Sequence, residues 1–150
     1  MKEDIESNSK LMVRIRLDFK GYARPRRFFF SGTPADKVAE EIREQQVALF
    51  RNVPIQGVKI EDIEMSAEVY TIWDEFNNNE VAFAPVTLAV TAENMVDLLC
   101  FIIREEFRKI EVIEPGPQYL TRFDMERLLF KIHEEFRLYI NRLEKKYSLK

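Results

Sequence analysis

The chain has 150 residues, of which 46% are hydrophobic and 33% charged, and its formal net charge at pH 7 is −3. A chain of this length is expected to fold as one domain that buries about 70% of the surface its unfolded form exposes. One cysteine and one histidine exclude a disulfide framework and the zinc sites built from these residue types. We therefore expect no metal and no cofactor.

The N-terminal segment is polar, since three of its first six residues are acidic and no apolar run follows. No secretory signal is expected from such a segment. The longest apolar run, residues 96–103, is interrupted by Asp97 and is far shorter than the roughly 20 residues that cross a membrane. These features predict a cytoplasmic protein without membrane association. Within this run, Cys100 is expected to be a small buried apolar side chain rather than a nucleophile.

Residues 1–9 are predicted to be a flexible tail, and a strand begins at Leu11. Apolar and polar side chains alternate along this strand, which is the period-two pattern of a strand with one buried face. Gly21 and Pro25 are expected to end it, and residues 26–30 to form a second short strand, so that the two make a hairpin. The apolar face of the first strand consists of Leu11, Val13, Ile15, Leu17 and Phe19.

A helix is predicted to follow over residues 34–50. Thr33 is expected at its N-cap, and Pro34 at the first helical position, where a missing N–H costs nothing. Its apolar stripe is predicted from the helical period as Ala35, Val38, Ala39, Ile42, Gln46 and Leu49.

The middle of the chain predicts two long strands and a second helix. Residues 63–74 alternate like a strand, residues 77–79 are three asparagines that suit a tight turn, and residues 81–91 are the returning strand. Thr91 is expected to cap a second helix over residues 92–107.

Residues 108–114 are predicted to be a short edge strand, ended by Pro115-Gly116-Pro117. Thr121 and Asp124 then have the spacing of a capping box, and no helix breaker occurs between them and Ser148. A helix of the 26 residues 122–147 is about 39 Å long, which exceeds the width of a sheet of this size. The last helix is therefore expected to extend beyond its own domain.

The order of elements, ββαββαβα, predicts an α+β fold. We expect a mostly antiparallel sheet of four to five strands with two helices on one face, formed by residues 10–120, and a long C-terminal helix in residues 121–150 that belongs to the same domain. If residues 26–30 continue the first strand, the order is similar to the ferredoxin-like βαββαβ arrangement. The predicted core comprises Val13, Ile15, Leu17, Val38, Ile42, Leu49, Val69, Leu88, Leu99 and Ile103.

Charge is distributed unevenly along the chain. Residues 1–60 carry 12 basic and 8 acidic side chains, whereas residues 61–80 carry seven acids and no base. Basic side chains close to aromatic ones suit a phosphate-bearing ligand such as single-stranded RNA or a nucleotide. In the alternative interpretation, Arg14 and Arg16 pair across strands with Glu64 and Glu68. The candidate binding residues are Arg14, Arg16, Lys20, Arg24, Arg26 and Arg27.

Residue-level signs of catalysis are missing from the sequence. A zinc protease motif at His133 would need a second histidine where Arg137 stands. Residues 31–33 contain no phosphate-loop pattern and are interpreted as an ordinary helix start. An enzyme with a pocket of ordinary residues remains a third class.

The last helix predicts self-association. Residues at spacings of 4, 3, 4, 3 and 4 form a coiled-coil-like seam: Met125, Leu129, Ile132, Phe136, Tyr139 and Leu143. Its first turns, with Phe123, Leu128 and Leu129, are expected to pack on the domain. In the alternative, the whole helix lies along its own sheet. The candidate interface with a partner chain consists of Phe136, Tyr139, Ile140 and Leu143.

The sequence thus predicts a non-catalytic, homo-oligomeric interaction or regulatory module, with a homodimer as the expected assembly. A different protein partner is compatible with the same helix. Nucleic-acid or nucleotide binding by the basic segment is the alternative function.

Overall fold

A computed structural model of the chain describes residues 10–26, 32–114 and 117–148. The predicted tail and most of the predicted strand 26–30 lie outside these residues, and Arg26 itself belongs to no strand. The elements are β1 (Leu11–Tyr22), α1 (Ala35–Asn52), β2 (Val58–Glu64), β3 (Tyr70–Asp74), β4 (Asn79–Ala92), a 3₁₀ helix (Met95–Leu98), α2 (Leu99–Ile102), β5 (Phe107–Glu114) and α3 (Arg122–Ser148).

The five strands form one antiparallel sheet, which confirms the predicted α+β class. The strand order is β2-β4-β1-β5, and β3 also pairs with β4. One edge of β4 pairs with β1 along its length, from Tyr22 opposite Val81 to Leu11 opposite Ala92. The other edge of β4 is shared by β2 and β3. The 14 residues of β4 therefore pair with β1, β2 and β3, but not with β5.

The core lies between the sheet and α1, and the alternation of β1 is confirmed. Side chains at odd positions of β1 are buried, and they face even positions of β4, as Ile15 faces Leu88. Phe50 at the end of α1 meets Phe101 of α2, with ring centroids 6.1 Å apart. Of the predicted core, Val13, Ile15, Leu17, Val38, Leu88 and Leu99 are buried, and Ile42 and Val69 are partly buried.

Gly21 does not end β1, contrary to the sequence prediction. The strand continues to Tyr22 because Gly21 and Tyr22 still pair with Ala82 and Val81 of β4, and α1 crosses directly over Gly21. A Cβ atom built on Gly21 would lie 2.4 Å from the backbone nitrogen of Ala39 and 2.8 Å from its Cα. Gly21 therefore lets the helix approach the sheet more closely than any other residue would.

The start and the stripe of α1 also differ from the prediction. Thr33 does not cap the helix, because its backbone exchanges two hydrogen bonds with Arg24. Pro34 precedes the first helical residue instead. Leu49 is 52% exposed, and its predicted place in the core is taken by Val47 and Phe50.

The predicted strand 63–74 is two strands, β2 and β3. The non-strand residues 65–69 separate them along the edge of β4. The asparagine turn is confirmed, with Asn78 at φ +50°. The carboxylate of Asp74 accepts hydrogen bonds from the backbone of Phe76 and the side chain of Asn77, and the latter bond in particular lowers the pKa of Asp74.

The helix predicted over residues 92–107 is present only as a short helical segment over residues 95–102. β4 continues to Ala92, and Asn94, not Thr91, caps a single 3₁₀ turn by accepting a hydrogen bond from the Val96 backbone. Only α2 follows before β5, and Ile103 is 38% exposed rather than buried. Cys100 is also exposed, against the expectation of a buried residue.

The capping box of α3 is confirmed. The backbone N–H of Asp124 donates to the Thr121 hydroxyl, and the backbone N–H of Thr121 donates to the Asp124 carboxylate. This reciprocal pair lowers the pKa of Asp124, chiefly through the backbone bond. None of the 27 residues of α3 is buried. Within the described residues, no helix is long and apolar enough to cross a membrane.

Candidate functional site

The sheet face opposite α1 is the first candidate site, here called the open sheet face. It carries the even positions of β1 and the odd positions of β4, because side chains alternate between the two faces. Arg14, Arg16 and Lys20 of the predicted binding set lie on this face. Their neighbours on β4 are Ala89, Thr87 and Phe83.

Asp18 anchors this face, since it is the buried charged residue of the described chain and is only 1% exposed. Its carboxylate accepts hydrogen bonds from Arg16 Nε at 2.8 Å and Nη2 at 3.2 Å. The Tyr70 hydroxyl donates to it at 2.5 Å, and Arg108 Nε lies 3.7 Å away. The hydrogen bond to Asp18 raises the pKa of Arg16. A buried carboxylate is satisfied here by several donors, as its desolvation requires.

Tyr70 crosses the sheet to reach Asp18. It belongs to β3, which is separated from β1 by β4, and neighbouring strands are about 4.8 Å apart. The ring therefore leans over β4, where it stacks on Phe83 with a centroid distance of 5.3 Å and an interplanar angle of 22°. Tyr70 is 37% exposed, so part of this aromatic surface faces solvent.

Beside this pair, a shallow cavity of about 190 Å³ is lined by Arg14, Arg16, Thr87, Lys109 and Glu111. Arg14 Nη1 bonds Glu111 at 3.2 Å, and Arg16 bonds Asp18 through Nε and Nη2. Lys109 has no charged partner among the described residues. Three cations thus surround a cavity in which the carboxylates leave several N–H donors unused.

The structure does not bring the whole predicted binding set together. Arg24 bonds Glu41 of α1 at 2.9 Å, Arg26 is exposed, and Arg27 lies outside the described residues. The predicted pairing of Arg14 and Arg16 with Glu64 and Glu68 is wrong, because β4 separates β1 from β2.

Sequence reasoning missed three residues of the open sheet face: Tyr70, Arg108 and Lys109. Arg108 lies over the Phe83 ring at 5.3 Å, and Lys109 is opposite Arg16 in the pairing of β5 with β1. The prediction of β5 as an edge strand did not say which strand it pairs with. Because β5 pairs with β1, Arg108 and Lys109 lie beside β1.

The exposed side of α3 is the second candidate site. Phe136 is 64% exposed, Tyr139 49% and Ile140 40%, while Leu143 is half-buried. The expectation that Phe123, Leu128 and Leu129 pack on the domain is wrong for Phe123 and Leu129, which are 73% and 67% exposed, whereas Leu128 is partly buried. The alternative, in which α3 lies along the sheet, is wrong too, because its contacts are mainly with the 3₁₀ helix.

Near its middle, α3 borders the rest of the chain around a cavity of about 180 Å³ lined by Ile103, Ile132, Phe136 and Tyr139, together with Glu135 and Arg142. The side chain of Lys131 bonds Glu135 of the same helix at 3.1 Å, which raises the pKa of Lys131. Polar side chains thus pair along one side of α3 while apolar ones stay uncovered.

Residue types that bind metal ions do not cluster in the part of the chain that the structure describes. No group of three histidine, cysteine or acidic residues could hold a metal ion there. His133 is exposed on α3. Comparison with family models, curated proteins and solved structures finds no match for this chain.

Replacing Tyr70 with phenylalanine tests the Asp18 network. Tyr70→Phe keeps the stacked ring but removes one donor, and we expect a loss of about 1 kcal/mol of unfolding free energy at pH 7, because the hydroxyl is only partly buried. Burial, and then the Asp18 bond, raise the pKa of Tyr70. The folded state therefore favours the protonated phenol, and its contribution is complete below the unfolded pKa of about 10. It is lost as the pH rises through the folded pKa.

Urea unfolding of both proteins at pH 7 and at pH 11 measures this effect. The difference between them should be present at pH 7 and smaller at pH 11. Equal stabilities at pH 7 would mean that Tyr70 does not stabilise the buried carboxylate.

Proposed function

We propose that this chain is a non-catalytic interaction module that forms a homodimer through α3. The observation that carries this proposal is the exposure of α3. From Phe123 to Ile140, nine large apolar side chains are at least 40% exposed, on a helix with no buried residue. They are Phe123, Met125, Leu129, Phe130, Ile132, Phe136, Leu138, Tyr139 and Ile140.

The amount of this surface supports a stable interface. If a large side chain offers about 200 Å² when fully open, the nine together expose on the order of 1,000 Å². A standard protein interface buries about 800 Å² on each partner, whereas apolar patches on monomers rarely exceed a few hundred Å². Phe123, Phe130 and Leu138 lie on the other side of the helix. The six remaining side chains expose on the order of 600 Å² on the seam side, which is at the upper end for an apolar patch on a monomer.

Charge along α3 favours a second copy as that partner. Residues 122–135 carry three basic and four acidic side chains, a net −1, whereas residues 136–148 carry four basic and one acidic, a net +3. Two copies that pair in antiparallel orientation place each basic half beside the acidic half of the other. The seam centred between Ile132 and Phe136 is compatible with this orientation, because its apolar residues extend to both sides.

We also propose that the sheet has the ferredoxin-like arrangement. Its support is the strand order, in which β4 lies between β1 and β2 and is antiparallel to both. The second helix of that arrangement is reduced here to the 3₁₀ helix and α2.

We propose a cytoplasmic location as well, supported by the unpaired Cys100 thiol.

Sedimentation equilibrium of the full chain over 1–100 μM tests the dimer. We expect a mass of twice the chain's 17.9 kDa at the upper concentrations, with a dissociation constant of about 1 μM or lower for an interface of standard size. A mass of one chain throughout this range would contradict the proposal. A mass that fits a dimer but does not change when α3 is altered would place the interface elsewhere, for which the sheet edges β2 and β5 are available.

The alternative function, nucleic-acid or nucleotide binding, has a narrower basis than the sequence suggested. Of the six candidate residues, the structure brings three to one face, and Arg24 points to α1 instead. Among the described residues, Arg14, Arg16 and Lys20 of the open sheet face are therefore the candidates for such an activity.

A further inference from the structure

We infer that the open sheet face binds single-stranded nucleic acid, with a base on Tyr70 and a backbone phosphate at Arg14, Arg16 and Lys109. This inference does not depend on the dimer. It rests on a juxtaposition: an exposed stacked ring and a three-cation cavity lie side by side, joined through Arg16 and Asp18.

The phosphate part of the site has donors that are already held in place. Nε and Nη2 of Arg16 donate hydrogen bonds to the Asp18 carboxylate, so the Nη1 donors of Arg16 are available to a ligand. Arg14 donates one hydrogen bond, from Nη1 to Glu111. Both arginine side chains are about half exposed, at 45% and 52%. A planar guanidinium fixed by a carboxylate loses little freedom when it binds an anion, and this geometry suits phosphate oxygens.

The charge balance around the cavity favours an anion. Arg14, Arg16 and Lys109 contribute three positive charges. Glu111 in the lining and Asp18, which is bonded to Arg16, contribute two negative charges, so the net charge is +1. The Thr87 hydroxyl supplies a neutral hydrogen-bonding group at the same place. The chain as a whole is acidic, so this local excess of cations stands out against its surroundings.

The base part of the site is the Tyr70 ring. Its hydroxyl is fixed by Asp18 and one face by Phe83, so the ring cannot turn away when a ligand binds. A fixed aromatic surface stacks on any base, and such a contact is worth about 1–3 kcal/mol for each base.

The site is shallow, which favours a nucleic-acid strand over a free nucleotide as its ligand. The three-cation cavity has a volume of about 190 Å³, which is below the 300–1,000 Å³ typical of pockets that enclose small molecules. Further cations continue along the same face: Lys20 lies 4.9 Å above the Tyr22 ring, and Arg108 lies over Phe83. Arg14 and Lys20 are six residues apart on β1, about 20 Å, which accommodates several linked nucleotides.

Fluorescence anisotropy with a fluorescein-labelled 12-nucleotide oligouridylate and with the matching oligothymidylate tests the inference on the full chain. At 50 mM salt we expect binding of at least one of them in the micromolar range. One phosphate at the cavity and one each at Lys20 and Arg108 make three phosphate contacts, which predict a slope of about −2 for log K against log salt. No binding of either strand at 100 μM protein would overturn the inference.

Arg14→Gln with Lys109→Gln removes two cations without uncovering the buried carboxylate, and it should weaken binding at least tenfold and reduce the salt slope. The matched control, Arg51→Gln with Lys145→Gln, makes the same charge change on α1 and α3 and should bind like the unaltered protein. Equal weakening in both variants would indicate attraction by total charge and would overturn the site.

Tyr70→Leu should weaken binding at least fivefold, whereas Tyr70→Phe, which keeps the ring, should stay within twofold. Circular dichroism checks that each variant is folded, and the Arg14 and Lys109 variant still tests the site if Tyr70→Leu unfolds. Unchanged binding by folded Tyr70→Leu would overturn the base contact.

AMP and inorganic phosphate serve as competitors, and we expect neither to displace the strand at equal concentration. Displacement by either would contradict a strand as the ligand.

Discussion

Aspartate in place of both Phe136 and Leu143 is expected to convert the proposed dimer into single chains. Each change places a carboxylate in the apolar seam of α3, where two copies would bury four charges without partners. Because an uncompensated buried charge costs about 3–5 kcal/mol, the dissociation constant should rise at least about a hundredfold. Sedimentation equilibrium at micromolar concentration measures this change directly.

The matched control is Asn141→Asp with Ser148→Asp. It introduces the same two charges on the same helix at the same spacing of seven residues, at positions that are exposed and lie outside the seam. The control should remain a dimer, and both variants should keep the helical signal of the original chain. A dimer that survives the Phe136 and Leu143 changes would show that α3 is not the interface.

Gly21→Ala is expected to give the largest loss of stability from a single methyl group in this chain. The added Cβ would lie 2.4 Å from the Ala39 nitrogen and 3.0 Å from the Ala35 carbonyl oxygen. Both are backbone atoms of α1 and cannot rotate away, so the helix must move off the sheet. Since α1 covers the core, we expect a loss of about 3 kcal/mol in the free energy of unfolding, measured by urea denaturation.

Ala23→Val provides the comparison, because Ala23 is exposed two residues further along the same segment. It should change the stability by less than about 0.5 kcal/mol. If Gly21→Ala is as stable as the original chain, then the backbone of α1 does not lie in close contact with Gly21 of β1.

The sequence was most informative where a pattern had one local cause. The alternation of β1 predicts its buried face, and the Thr121 and Asp124 pair predicts the start of α3, because both depend on neighbouring residues alone. The predicted helix 92–107 failed for the opposite reason. The residues after Thr91 have apolar spacing that fits a helix, but pairing of β4 keeps the chain extended to Ala92 and pairing of β5 with β1 begins at Phe107, so only residues 95–102 are helical.

The open sheet face could be predicted only in part. Arg14, Arg16 and Lys20 share a face through the period of β1, which the sequence displays. Lys109 and Tyr70 join them through the order of the strands, and nothing local to residues 70 or 109 specifies that order. Arg24 follows β1 in the sequence, yet its bond to Glu41 directs it toward the helix layer.

The pairing of β1 has a consequence for folding during synthesis. Both neighbours of β1 come later in the chain, and the nearest pair, Tyr22 and Val81, is separated by 59 residues. At about 5–20 residues per second, β1 leaves the ribosome roughly 3–12 seconds before its first partner is made. During that interval five large apolar side chains, from Leu11 to Phe19, have no strand to pair with. The nascent chain should therefore be most prone to aggregation, and most in need of a chaperone, until β4 has emerged.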